Sequence, residues 1–99
     1  MRSQFIAYNL AVELYKKGRK TIMPTHLKSQ FDRAASSIVL NLSEGSGRKT
    51  TADRIRFFTI ALGSLRETQA IFDLIEVQNE LVTLADRLGA CLWRLCYGK

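Results

Sequence analysis

The sequence is poor in the residues that build most catalytic and metal sites. Its 99 residues include one histidine, His26, and two cysteines, Cys91 and Cys96. A zinc site of the usual kind requires three or four such ligands, so these residues cannot supply one. The two cysteines are expected to lie on different faces of one helix, which disfavours a disulfide between them. We therefore predict free, buried or half-buried thiols and no metal, cofactor or Ser-His-Asp catalytic site.

Long apolar runs are also missing. No run approaches the roughly 18 residues of a membrane span, and the start MRSQFIAYN lacks the apolar core and cleavage site of a signal peptide. With 46% hydrophobic residues, the chain has enough apolar material for one small core. We expect a cytoplasmic protein with one domain over residues 1–99 and no contact with a membrane.

Acidic residues are scarce in the first two thirds of the chain. The formal net charge is +6. Residues 1–65 contain 11 basic and 4 acidic side chains, whereas residues 66–99 contain 4 basic and 5 acidic ones. Such an uneven excess favours an anionic polymer or surface as partner. The charged surface of an ordinary soluble protein explains the composition equally well, so charge alone leaves both interpretations open.

Apolar residues recur with helical periodicity in four segments, and no segment alternates as a strand would. The predicted helices cover about residues 4–17, 24–44, 50–76 and a last segment from Asn79, a good N-cap, onward. The clearest stripe, in the second helix, consists of Leu27, Phe31, Ala34, Ile38 and Leu42. Short connections between helices of this length predict an all-α fold, an antiparallel up-down four-helix bundle.

The stretch "NLSEGSGRKT", residues 41–50, has the glycines and cations of a phosphate-binding loop. In a Walker A loop, however, lysine directly follows the second glycine and the loop follows a strand. Here the lysine comes one place late and a helix precedes the glycines. We predict instead a tight helix-to-helix corner, in which Gly45 and Gly47 adopt the positive φ of a C-cap. Thr50 is expected to cap the next helix through the amide of Asp53.

Six polar residues border the apolar stripes of the second and third helices: Arg33, Ser37, Asn41, Glu44, Ser64 and Glu67. Because buried polar groups need partners, we predict a structural network in which Arg33 pairs with Glu67 or Glu44. Two carboxylates beside an arginine and an asparagine could also form an acid/base site. No histidine, lysine or metal set joins them, so we do not expect an enzyme.

Two longer patterns in this region carry a family resemblance. The segment FDRAASSIVLNLSEGSGRKT…RFFTIALGSLRETQ and the start AYNLAVELYK resemble the bacterial four-helix-bundle family of 23S-rRNA intervening-sequence proteins. The hallmark R-A-x-x-S-I-x-x-N-x-x-E-G-x-x-R runs from Arg33 to Arg48, and an aromatic pair and A-x-G-S-x-x-E end at Glu67. The family includes relatives of the accessory variability proteins of diversity-generating retroelements. The resemblance implies a homopentameric ring and, for the retroelement relatives, binding of nucleic acid and a reverse transcriptase.

Taken together, these observations predict a non-enzymatic, basic, oligomeric protein that binds RNA or DNA through the phosphate backbone. The candidate contacts are Lys16, Lys17, Arg19, Lys20, Lys28, Arg48, Lys49, Arg54 and Arg56. The cations after the first helix and those after the second are expected at opposite ends of the bundle. No aromatic stacking platform is evident, so reading of base sequence is not predicted. The alternative is a protein-binding scaffold, for instance for a retroelement reverse transcriptase.

Several large apolar residues exceed what the interior of one small bundle needs. They are Phe5, Ile6, Tyr8, Tyr15, Leu40 and Trp93. Exposed apolar surface of this kind indicates association with other chains. We therefore predict assembly into a closed ring, for which the family resemblance implies five subunits.

Overall fold

Four helices make up the protein, as described by a computed structural model that covers residues 2–98. They are α1 (Arg2–Gly18), α2 (Thr25–Ser46), α3 (Thr51–Leu74) and α4 (Glu80–Tyr97). Within these residues no strand occurs, and no helix is long and apolar enough to cross a membrane. The predicted all-α class and the approximate position of every helix are confirmed.

Neighbouring helices run antiparallel, as pairs of contacting residues show. Between α2 and α3, Arg33 meets Glu67 and Ser37 meets Ser64. Between α3 and α4, Thr59 meets Cys96 and Gln69 meets Asp86. In both pairs one residue number rises as the other falls. The helix α4 also packs against α1 and closes the bundle.

All four helices contribute to one hydrophobic core. Its largest fully buried side chains include Phe31, Leu14, Leu65 and Leu92, one from each helix. The ring of Phe31 lies 5.9 Å from that of Phe72, so an aromatic contact joins α2 to α3 inside the core. Because each helix contributes one apolar stripe, the opposite faces are left for the surface.

Both cysteines are buried and free, as predicted. The Thr59 hydroxyl donates to the Cys96 sulfur at 3.7 Å. Burial raises the pKa of the Cys96 thiol, and the Thr59 contact opposes that shift. Cys96 is therefore a packing residue that links α4 to α3.

The two predicted N-caps are confirmed. Thr50 has extended backbone, and its hydroxyl accepts a hydrogen bond from the Asp53 amide at 3.1 Å. The Asn79 side chain accepts from the Leu81 amide at 2.9 Å. Each side chain satisfies one of the free amides of a first helical turn, which fixes where α3 and α4 begin.

The predicted role of the corner glycines is wrong, since none of the glycines within residues 2–98 has positive φ. Gly47 has φ −88°, and Gly45 lies inside α2. A β-carbon on Gly45 would stand 2.7 Å from a ring carbon of Phe58, which is buried. Gly45 is therefore needed for close helix packing, and the helix ends without a left-handed residue.

A left-handed residue does occur at the end of α3, where the sequence offered no glycine. Glu76 has φ 56°. Its amide bonds to the Asp73 carbonyl at 3.2 Å, and the Val77 amide bonds to the Phe72 carbonyl at 3.0 Å. This pair of bonds is a Schellman motif, and Val77 packs against the core beside it. The motif turns the chain towards α4.

The apolar residues predicted to be in excess are mostly exposed. Phe5 is 67% exposed, Leu40 65% and Trp93 52%, and Ile6 and Tyr8 are exposed as well. Tyr15 is the exception, because it is half-buried and packs against the core. The prediction of surplus apolar surface therefore holds for five of these six residues and is wrong for Tyr15.

Candidate nucleic-acid interface

The basic residues separate into two groups at opposite ends of the bundle. We call the end that holds Ser46, Thr51 and Tyr97 the corner end, and the end that holds Gly18 and Glu80 the hairpin end. The hairpin end carries Lys16, Lys17, Arg19, Lys20 and Lys28, and the corner end carries Arg48, Lys49, Arg54 and Arg56. The bundle is about 40 Å long, so no single monomer surface unites them.

Most cations of the hairpin end already have partners on the protein. The Lys17 ammonium lies 2.8 Å from Glu13 and 3.0 Å from Glu80. These hydrogen bonds, the one with Glu13 first, raise the pKa of Lys17. Lys28 donates to the carbonyl of Arg19, whose guanidinium covers the Tyr15 ring. Lys16 and Lys20 are exposed and have no ion pair within the described chain.

The corner end holds two arginines around one aromatic ring. The guanidinium carbons of Arg48 and Arg56 lie 4.7 Å and 4.4 Å from the centre of the Phe57 ring. Arg48 also donates to Glu44 at 2.5 Å, and Arg56 lies 3.8 Å from Asp53. Stacking restricts both side chains, so they present charge with less loss of entropy than free arginines would.

The other two cations of the corner end differ from each other in role. Arg54 donates to the carbonyls of Arg48 at 2.9 Å and Lys49 at 3.2 Å, and to the Thr51 hydroxyl at 3.3 Å. It thereby satisfies carbonyls that follow the end of α2, which is a structural role. Lys49 is exposed and makes no ion pair within residues 2–98.

Of the six predicted polar residues, four form two contacts between α2 and α3, and Asn41 adds a third contact within α2. Arg33 donates to Glu67 at 2.7 Å, as predicted. The hydroxyls of Ser37 and Ser64 are 2.9 Å apart, and the Asn41 amide donates to the Ser37 hydroxyl at 3.0 Å. Glu44 does not pair with Arg33 and instead accepts a hydrogen bond from Arg48.

This network lies at the surface, contrary to the expectation that it would be buried. The side chains of Arg33 and Glu67 are 66% and 38% exposed. Ser37, Asn41 and Ser64 are half-buried. These residues border the apolar stripe of each helix, and at that border their side chains reach solvent.

Three features of the site were not predicted from the sequence. The sequence marks Phe57 only as part of an aromatic pair and does not predict its contacts with Arg48 and Arg56, although Phe57 directly follows Arg56. Glu80 is 63 positions after Lys17, so only the fold brings the two together. Arg94, near the end of α4, lies at the corner end only because the fold brings the end of α4 beside the start of α3.

The fold and the charge distribution define a class: small, basic, all-α four-helix bundles with stacked arginines at one end. The family model described as 23S rRNA-intervening sequence protein matches residues 5–86, which span α1 to α3 and the first turns of α4. The chain therefore belongs to this family, and the predicted resemblance is confirmed. Comparison with curated proteins gave no match, and neither did comparison with solved structures.

Proposed function

We propose that this chain is a non-enzymatic protein that binds RNA or DNA through the phosphate backbone, with the corner end as its contact surface. Arg48, Lys49 and Arg56 make the contact, while Arg54 holds the corner in shape. The family is described by its occurrence in intervening sequences of 23S rRNA, which supports a nucleic-acid partner.

The contact of both Arg48 and Arg56 with the ring of Phe57 is the observation that carries the proposal. Guanidinium groups bind phosphate oxygens in a bidentate manner, and stacking holds these two ready to do so. Among the described residues, Arg48 pairs with Glu44 and Arg56 with Asp53, while Lys49 makes no ion pair. At the hairpin end, Lys17 lies between Glu13 and Glu80, and Asp73 and Glu76 lie near the end of α3 at the same end of the bundle.

The exposed apolar residues support assembly of several copies. Phe5 and Tyr8 line a shallow cavity between α1 and α2, whereas Trp93 and Tyr97 form a tilted aromatic pair on α4, with ring centres 5.2 Å apart. Two different patches on one chain suit a head-to-tail contact, which closes into a ring when the rotation allows. We propose such a ring, with five subunits on the grounds of family resemblance.

An electrophoretic binding assay with RNA, DNA and RNA–DNA heteroduplex at several salt concentrations tests the proposal. Each phosphate neutralised on duplex DNA contributes about −0.9 to the slope of log K against log salt. One subunit that engages three cations should give a slope near −3, and a ring that presents several sets should exceed about −6. Binding should vary little with base sequence.

Light scattering tests the ring. The expected mass at micromolar concentration is a multiple of the 11.2 kDa chain, and a mass of one chain would refute the assembly. A protein-binding scaffold for a reverse transcriptase is the alternative function. It would appear as a stable monomer or ring that shows no affinity for any of the three nucleic acids at low salt.

A further inference from the structure

A cavity of about 340 Å³ opens at the corner end, between the start of α1, the start of α3 and the end of α4. This volume lies within the range of small-molecule sites, about 300–1,000 Å³. Ile55, Phe58 and Leu95 provide its apolar wall. No acidic residue lines it among the described residues, although Asp53 lies on the first turn of α3.

The polar lining of the cavity favours an anion. Arg54 and Arg94 both line it, together with the hydroxyl residues Ser3 and Thr51. Thr51 is the first residue of α3, so the partial positive charge of that helix N-terminus acts at the same place.

Gln4 adds a neutral polar group to the lining of the cavity. It is only 8% exposed, it lines the cavity, and its amide makes no hydrogen bond with any other residue in the described part of the chain. An amide can donate and accept at once, which suits the oxygens of an oxyanion or the edge of a base.

Arg54 and Arg94 each have guanidinium N–H groups that make no hydrogen bond within the described chain. Of the five N–H groups of Arg54, three bond to Arg48, Lys49 and Thr51. The other two have no partner within residues 2–98. The recorded contact of Arg94 is a weak one to the Cys91 sulfur at 3.9 Å. Two guanidinium groups with free donors are well suited to hold one phosphate.

We infer that this cavity binds a terminal phosphate monoester, at the end of a nucleic-acid strand or on a free nucleotide. A terminal phosphate carries about −1.5 to −2 charge at neutral pH, more than a phosphodiester in the backbone. This inference rests on the proposed function for the strand-end source, because the cavity adjoins the surface formed by Arg48, Lys49 and Arg56. The strand would lie along that surface with its end in the cavity.

The test compares one oligonucleotide in three forms: unphosphorylated, 5′-phosphorylated and 3′-phosphorylated. Wild-type protein should bind one phosphorylated form about tenfold more tightly than the unphosphorylated form, the gain expected from charge-assisted hydrogen bonds to one phosphate. In a separate arm, calorimetry with a nucleoside 5′-monophosphate measures binding of the free nucleotide to the same protein.

Two variants assign the effect to the cavity. Arg94→Gln should bring the ratio between phosphorylated and unphosphorylated strands close to one. Arg87→Gln is the matched control, because it removes an exposed arginine from the same helix outside the cavity and should preserve the ratio. Gln4→Leu keeps the approximate volume and should also lower the ratio, with thermal unfolding as a check on its fold.

Each outcome decides the inference. If the strands bind equally and the monophosphate does not bind, the cavity inference fails while the proposed function stands. If no strand binds but the monophosphate binds wild type and not Arg94→Gln, the cavity serves free nucleotides and the proposed function fails. A phosphate preference that survives both Arg94→Gln and Gln4→Leu overturns the inference.

Discussion

The two ends of the bundle carry similar numbers of basic residues, and yet they offer very different surfaces. At the hairpin end, Lys17 lies between two carboxylates and Lys28 bonds to a backbone carbonyl. At the corner end, Arg48 and Arg56 contact the Phe57 ring, and Arg48 also pairs with Glu44. Lys49 there, like Lys16 and Lys20 at the hairpin end, has no ion pair within the described chain. The comparison shows that available charge depends on what the fold places beside each cation.

Each end of the bundle contains a glycine that lets a buried aromatic ring approach the helix backbone closely. Substitution of these glycines should have the largest effects on stability. A β-carbon on Gly18 would stand 2.1 Å from the Phe31 ring, and one on Gly45 2.7 Å from the Phe58 ring. Both rings are buried. Gly18→Ala and Gly45→Ala should each destabilise the protein by about 1–3 kcal/mol, as overpacking does. Chemical denaturation measures both changes.

Gly63→Ala is the control for these two variants. Gly63 lies in α3, is exposed, and has no neighbour within 4 Å of the added carbon. Alanine should therefore stabilise α3 by roughly 0.5–1 kcal/mol. If Gly18→Ala or Gly45→Ala behaves like Gly63→Ala, the close helix approach at that end is not as described.

Substitutions in the polar network between α2 and α3 should lower stability by different amounts. Asn41 is half-buried and donates to two groups of Ser37, so Asn41→Ala should cost about 1 kcal/mol. Arg33 and Glu67 form an exposed pair, so Glu67→Ala should cost less, about 0–1 kcal/mol. Thermal unfolding compares the two. A variant that melts like wild type but loses nucleic-acid binding would make this network a functional site.

A substitution at Glu76, at the hairpin end, should increase the stability of the protein. A left-handed conformation costs a residue with a side chain about 1–2 kcal/mol, and glycine avoids most of this cost. Glu76→Gly should therefore raise the free energy of unfolding by about 1 kcal/mol. Glu76→Ala removes the same charge without relieving the backbone, and so it should not stabilise. Equal effects of the two variants would show that charge, and not conformation, is responsible.

The ion pairs of Lys17 should have the smallest effect on stability, because the side chains are exposed and screened by salt. Because the pKa of Lys17 is raised, its contribution is present below the ordinary lysine pKa and is lost as pH rises above it. Glu13→Gln with Glu80→Gln should abolish that loss in alkaline unfolding curves. The same variant frees a cation, so the hairpin end should gain affinity for nucleic acid.

Much of the fold follows from the sequence because it depends on local patterns. The apolar stripes of α2 and α3 repeat at helical spacing, and Thr50 and Asn79 are caps that act within three residues. The sequence predicts that α3 ends near Glu76, but it does not predict the left-handed conformation of Glu76 that ends the helix. The role of Gly45 did not follow from the sequence, because a glycine needed for packing and a glycine needed for positive φ look alike there.

The site depends more on contacts between distant segments, and it was predicted less completely. The nine candidate cations could be named from the sequence, and their separation to opposite ends followed from an up-down bundle. Their unequal availability did not follow. Glu80 reaches Lys17 from another helix, and Gln4, Arg54 and Arg94 meet in a cavity only when three helices converge.

The most direct test of the account compares salt slopes for two double variants on duplex DNA. Arg48→Gln with Lys49→Gln removes two cations from the corner end, and Lys16→Gln with Lys20→Gln removes two exposed cations from the hairpin end. The first should reduce the magnitude of the slope by about 2 per subunit engaged, and the second should leave it near the wild-type value. Equal reductions, or a larger one from Lys16 and Lys20, would contradict the assignment of the contact surface to the corner end.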